Sequence, residues 1–334
     1  MMRFLLSICI TVLMLFSPSV TATTLCAGDE AFSDVTLTTM QLASGGPTLD
    51  LSAIPPPNSS YGSNGREATS CEGFFSGNDQ PLPSVNIGQY QDGLLNGQPQ
   101  KKGNSDGALN PINTVFDPQH DGGSNLAFIE LSDLQDISGV GGIESDGVND
   151  PGWVYLGKDD GGLGGFDYAT AGMGLKNEEG EDISIDIATI LNVQFSCADN
   201  TSINGDNCSM GTWSIMPDVD IVEKLFPLFG NGFFDHLAFI FKAGPEFVVY
   251  DFNFNIIKNE LGGGIDLTVP YNLSGSFDMK DTFGKTAISH ISVWARDPSL
   301  FTVVTVVPEP NTYWLIMLGG VLVYFRCRQK HSLL

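Results

Sequence analysis

Positive charge is scarce in this chain: 15 Lys+Arg stand against 39 Asp+Glu in 334 residues, a net charge of −24. A phosphate backbone needs a Lys/Arg-rich face, so the acidic balance argues against nucleic acid as a partner. Charged residues of either sign make up only 16%, yet apolar residues reach 42%, so a sizeable core is available and global disorder is ruled out. Histidine is rare as well, with four in the chain, and no HExxH, GxSxG or Walker-type loop is present. Outside the termini, sustained helical periodicity is missing except for a turn or two at residues 220–225. Glycine (39) and proline (18), with Ser, Asn and Asp, fill the gap. That composition predicts a loop-rich β protein of one large or two ordinary domains.

Both ends depart from this grammar. Arg3 precedes an apolar stretch at residues 4–16, and Val20 and Ala22 occupy the −3 and −1 positions of a cleavage site after Ala22. Residues 1–22 therefore read as a secretory signal peptide; the apolar stretch is short of the roughly 20 residues that a membrane span needs. At the other end Pro308, Glu309 and Pro310 lead into an uncharged apolar run at 313–325, closed by Arg326, Arg328 and Lys330. A hydrophobic helix followed by cations is a stop-transfer element with its tail on the cytoplasmic side. The two prolines keep the preceding segment extended and unpaired, hence open to a peptidase.

Pro-Glu-Pro, the short apolar helix and the basic tail together resemble the PEP-CTERM sorting signal of Gram-negative bacterial surface proteins. The match spans residues 308–331, and its tail, Arg-Cys-Arg-Gln-Lys-His, is less uniformly Arg than that family's habit. The resemblance implies export through the Sec translocon and a transient stay in the inner membrane. It further implies processing near Pro-Glu-Pro by an exosortase, and a mature protein at the cell surface or outside, where extracellular polysaccharide builds biofilm or floc. A softer resemblance to the bodies of such exoproteins lies in Gly-Thr-Trp-Ser (211–214), Phe-Lys-Ala-Gly (241–244) and Ser-His-Ile-Ser-Val-Trp-Ala-Arg (289–296). The expected division is a signal peptide at 1–22, a secreted β domain at 23–306 with a loop-rich part at 43–110, and a sorting signal at 307–334 with its membrane helix at 313–325.

Removing both ends takes away Arg3, Arg326, Arg328 and Lys330 and none of the acids, which moves the net charge to −28. Such a surface repels anionic polymers and attracts divalent cations. Four cysteines stay in the body: Cys26, Cys71, Cys197 and Cys208. An even number in an oxidising compartment reads as disulfides. Of the three pairings, Cys197–Cys208 across a short Asn/Asp/Gly-rich excursion is the simplest, leaving Cys26 with Cys71. Zinc is the alternative, but without a CxxC or a nearby His the spacing is poor.

Residues 43–110 thin out in order, half of them being Gly, Pro, Ser or Asn. They read as a long decorated loop or a flexible lobe. Strand character is expected at 32–42, 126–131, 153–156, 183–187, 191–197, 211–215, 237–242, 246–257, 287–296 and 301–307. Ala243-Gly244-Pro245 predicts a tight hairpin between two of these. Along 246–257, Val248, Tyr250, Phe252, Phe254 and Ile256 should share one face and Asp251, Asn253 and Asn255 the other. Short strands with Gly/Asn/Asp turns point to an all-β, antiparallel β-sandwich of jelly-roll type.

Chemistry is harder to find. Ser289 and His290 are adjacent on a strand and so face opposite ways, which bars a nucleophile–base couple. Ile288, His290, Ser292, Trp294 and Arg296 should share one face, opposite the small and branched Ala287, Ser289, Ile291, Val293 and Ala295, which read as the core side. His290 and Trp294 then become candidates for a sugar-stacking platform. The acidic, Gly-rich stretch at 146–167 tempts a structural calcium reading with Asp146, Asp150, Asp159 and Asp160 as oxygen ligands, although no EF-hand pattern is present. The expectation is a non-catalytic surface or matrix protein with a structural or interaction role, without a cofactor. The rival readings are a carbohydrate-binding module, calcium-dependent or not, and a glycan-active enzyme with an unmarked carboxylate pair.

Overall fold

A computed structural model describes residues 31–296 apart from 53–64, 80–81, 100–112, 121–125, 138–142, 144–146, 148, 162–164, 199–202, 204–207 and 230–233. The signal peptide, the strand expected at 301–307 and the sorting signal all lie outside the described residues. Numbered along the chain, the strands are β1 (Val35–Leu42), β2 (Leu49–Asp50), β3 (Arg66–Glu67), β4 (Ser70–Ser76), β5 (Trp153–Asp159), β6 (Phe166–Tyr168) and β7 (Thr170–Ala171). They continue with β8 (Ile185–Asp186), β9 (Leu191–Cys197), β10 (Met210–Pro217), β11 (His236–Ala243), β12 (Glu246–Asn253), β13 (Tyr271–Asp278) and β14 (Ile288–Arg296).

The chain is an all-β, antiparallel fold built on two six-stranded sheets. The first runs β2-β1-β13-β10-β9, with β3 also on β1, and the second runs β4-β12-β11-β14-β5-β6. One apolar cluster joins them: Val35, Leu37, Trp213 and Phe277 from the first sheet meet Phe239, Phe241, Tyr250, Phe252 and Val293 from the second. Burial of aromatic and β-branched side chains from facing sheets is the main stabilising term in such a sandwich. In β1 the alternation of Val35 and Leu37 jumps to Met40 because a bulge shifts the register between Leu37 and Thr39.

β13 was not legible as a strand, since its sequence YNLSGSFD is polar and contains Gly275. The structure explains the composition. A Cβ on Gly275 would sit 1.9 Å from the Thr36 carbonyl oxygen and 2.4 Å from the Trp213 ring, so only glycine lets the indole lie flat on the strand.

Four sequence expectations are corrected here. Residues 246–257 are not one strand: β12 stops at Asn253, whose side chain accepts from the Asn255 and Ile256 amides and caps a helix, Phe254–Glu260. Burial then follows helical spacing, Phe254 and Ile257 inward and Ile256 outward. Residues 126–131 form bends rather than a strand, and of the run at 183–187 only β8 is extended. The turn or two at 220–225 becomes a full helix, Ile221–Phe229. The hairpin at Gly244-Pro245 is as expected, with Ala243 opposite Glu246.

Every residue of β11 is buried, on both faces, which two sheets alone cannot do. Irregular chain forms a third layer on the outer face of the second sheet: Leu94, Leu95, Phe116 and Ile129 cover Trp153, Tyr155, Ala238, Ile240, Phe247, Val249 and Trp294. Much of the stretch 82–99 is therefore packed chain, with Asn86, Asp92 and Asn96 all buried, and not a flexible lobe. Gly88 and Gly152 meet backbone to backbone, the Gly152 amide donating to the Gly88 carbonyl at 2.9 Å; a Cβ on Gly88, whose φ is +89°, would fall 2.5 Å from Gly152.

Gly275→Ala is expected to lower stability by about 1–3 kcal/mol, because a methyl group must displace strand backbone or the indole. Urea unfolding would show a lower midpoint at unchanged slope. An unchanged midpoint would mean that β13 does not lie between β1 and β10 in this register.

Candidate functional site

The outer face of the second sheet collects most of the buried polar chemistry of the described residues, and it does so at the two ends of the β11–β14 pair. At one end His236 lies opposite Arg296 in register. Asp251, from β12, holds the His236 Nδ1 at 3.0 Å, and the indole of Trp153 packs edge-on against the imidazole at 5.7 Å between centroids. Arg296 donates to both oxygens of Asp235, at 2.9 and 3.1 Å, to the Pro151 carbonyl and to the Asp133 carbonyl. Two basic side chains and two carboxylates thus close on one another, all of them buried. Burial alone would lower the His236 pKa; the Asp251 carboxylate, reinforced by Asp235, overrides it and holds the imidazole above its ordinary value.

At the other end Asp79, from the loop after β4, reaches the sheet. One carboxylate oxygen meets His290 Nε2 at 2.7 Å and the other accepts the Ser292 hydroxyl. Burial would raise the Asp79 pKa, but the His290 hydrogen bond and charge, with Ser292, outweigh it and depress it. Lys242 stands opposite His290 and donates to the Gly244 carbonyl; burial lowers its pKa against the pull of Asp79 and Glu246. The Tyr155 hydroxyl is raised by burial and by the nearby Asp79 and Asp167 carboxylates. Serine, histidine and aspartate are all present, but the carboxylate stands between the other two. Ser292 donates to Asp79 and not to the imidazole, so the arrangement is a clamp joining loop to sheet, not a nucleophile with its base.

Between the two ends runs an aromatic belt. Trp294 is 1% exposed and lies 5.1 Å from the Tyr155 ring, under Gly93 and Pro83 of the third layer. On the strand face expected to stack a sugar, the loop layer covers Trp294, and the His290 end alone of these two approaches solvent. Ile288 also leaves that face. A bulge beside Lys242 and Ala243 pairs Ile288 with Ala243 and turns it into the core with Ile291, Val293 and Ala295.

The suspected calcium ligands are not brought together. Asp146 lies outside the described residues. Asp150 spends both oxygens on backbone amides, Oδ1 on Tyr90 at 2.7 Å and Oδ2 on Ile137 at 2.9 Å. Asp159 ends β5, so the length of that strand, about 20 Å, separates it from Asp150. It accepts from the Gly161 amide, while Asp160 pairs with Lys158 at 3.4 Å. No group of three or more metal-ligating side chains occurs among the described residues. Cys197 and Cys208 form the expected disulfide, with Cα atoms 5.6 Å apart. Cys71 is buried and disulfide-bonded, and Cys26 lies outside the described residues.

Sequence reasoning missed Asp79, Asp235 and the His236–Asp251 pair, because Asp79 and His290 are 211 residues apart and Asp251 sits within a largely apolar strand. No helix of the described residues is long and apolar enough to cross a membrane. No protein-family model matches the chain, and no curated protein or solved structure matches it.

Replacing Trp294 by Ala should cost about 3–5 kcal/mol of stability, as emptying a packed aromatic site does; a stable variant with weakened glycan retention would restore the platform reading. The His236 pair has a pH signature. A raised histidine contributes stability fully below its unfolded pKa of about 6.5 and loses it as pH rises through the folded value. The stability gap between wild type and His236→Gln should therefore be widest in mildly acidic buffer and narrow at alkaline pH. Paired denaturation curves across that range would read it.

Proposed function

We propose that this is an exported surface or matrix protein, sorted through Pro308-Glu309-Pro310 by an exosortase, with a structural or interaction role among extracellular polysaccharides and no catalytic one. The observation that carries the export half is the Cys197–Cys208 cross-link. Disulfides persist in oxidising compartments and are rare in the cytosol, so a bridge closing a loop of this kind supports passage across the inner membrane. Arg326, Arg328 and Lys330 would hold the precursor's tail on the cytoplasmic side until processing.

The interaction half rests on what the fold uses its polar groups for. His236, His290, Ser292, Arg296 and the carboxylates facing them are consumed in tying strand to strand and loop to sheet. What faces outward is acidic, as in the exposed Glu178, Glu179, Glu181, Asp182 and Asp186. We read the topology as jelly-roll-like, since β1 nests with β13 and β4 with β12 in opposite sheets, while β14 departs from it by entering between β11 and β5.

The test is the intact mass of the protein from its native host, with envelope and medium fractions kept apart. The expected species begins near Thr23, ends near Pro-Glu-Pro and is two pairs of hydrogens light. A species that keeps residues 313–334 in the inner membrane would overturn the sorting proposal.

A further inference from the structure

The two sheets do not close on each other at one end. Between them lies a cavity of ≈ 120 Å³ capped by Ile221–Phe229, which contributes Ile221, Val222, Leu225 and Phe229 to its wall. Strands and loops of both sheets supply the rest; among the described residues no Lys, Arg, Asp or Glu lines it, and His236 is part of its wall. Native cores leave few voids larger than a water molecule, and an apolar void of this size does not hold water well. It also opens outward: Val269, which lines it, is 37% exposed and is shared, with Pro270 and Tyr271, by an adjoining surface groove.

The rim carries a second, independent sign. Met173, Phe226, Val219 and Leu131 are the most exposed large apolar side chains of the described residues, at 58, 58, 51 and 52%. Three of these four surround the capping helix. Phe226 is on it, Val219 precedes it, and Met173 follows Gly172, which packs against Leu228 so closely that a Cβ there would fall 2.6 Å from its side chain. Val219, which lines the adjoining groove, and Phe226, on the capping helix, are apolar side chains held in water beside an apolar cavity, and such a patch marks a ligand entrance.

Charge selects among apolar ligands. Lys224 at the rim is already paired with Asp218, and Asp220, Glu223 and Asp266 stand exposed nearby, with Lys258 close to Asp266. An anionic headgroup would meet more carboxylates than free cations. We propose that this cavity binds the alkyl chain of an amphiphile without negative charge, its headgroup resting in the groove beside Tyr271. The site meets the covered polar face at His236, and the proposal does not depend on export.

The full chain, kept in solution with an amphiphilic polymer, would be photolabelled with a fatty alcohol bearing a diazirine at its tail, and the labelled peptides mapped. Saturable labelling of the peptides carrying Val222, Leu225 and Leu267, displaced by decanol and at least tenfold less well by decanoate, is the expected result. Val222→Trp, which fills the cavity from the helix side, should cut that labelling at least tenfold. Leu267→Trp does so from the opposite wall should the first variant not fold. Labelling confined to residues 313–325, equal displacement by decanoate, or undiminished labelling of a folded cavity-filling variant would each overturn the proposal.

Discussion

The outer half of the molecule depends on how one strand edge is satisfied. β5 pairs with β14 along one side, but on the other β6 reaches only Gly157, Lys158 and Asp159, which leaves the peptide groups of Trp153 and Tyr155 facing irregular chain. Two asparagines complete them. Asn86 donates to the Tyr155 carbonyl at 2.8 Å and accepts its amide at 2.7 Å; Asn96 does the same for Trp153, at 2.7 and 3.0 Å. A carboxamide carries a donor and an acceptor side by side, so it imitates a neighbouring strand where an aspartate, acceptor only, could not. Buried backbone groups demand such partners, and each pair also pins the loop layer over the sheet.

From those two pins the rest of the layer follows. Asp92 gathers the loop by accepting the amides of Ser84, Val85 and Ile87, and Asp150 ties Tyr90 to Ile137. Leu94 and Leu95 are thereby laid on the belt of Trp153, Tyr155 and Trp294, and burial of that belt supplies the favourable area that ordering an irregular chain requires. The two ionic clusters then close the ends. Their carboxylates and basic side chains are paired and hydrogen-bonded as buried polar groups must be, which makes them costly to break. The same side chains that suggest chemistry in the sequence serve as fasteners in the fold.

The division between what could be read and what could not follows from distance along the chain. Strand character in β9, β10, β11 and most of β12, the Gly244-Pro245 turn and the Cys197–Cys208 link are local, within about a dozen residues, and could be read from the chain before any fold was known, together with the all-β class and the acidic charge. The core side of β14 was legible for the same reason, from the small and branched Ile291, Val293 and Ala295. Locality also misled: Phe254 and Ile256 continue an alternating pattern, yet the Asn253 cap turns the chain into a helix. β13 was hidden because its Gly275 answers to a tryptophan on another strand.

Whether His290 and Trp294 face solvent could not be read from β14 at all, since a strand pattern separates two faces but does not say what lies on either. Contacts between distant parts of the chain settle it. The fold brought Asp79 onto His290 and Ser292, set Asn86 and Asn96 against β5, and left the sheets parted beneath Ile221–Phe229. Those contacts join residues between 57 and 213 positions apart, where satisfaction of buried polar groups, and not local preference, selects the partner.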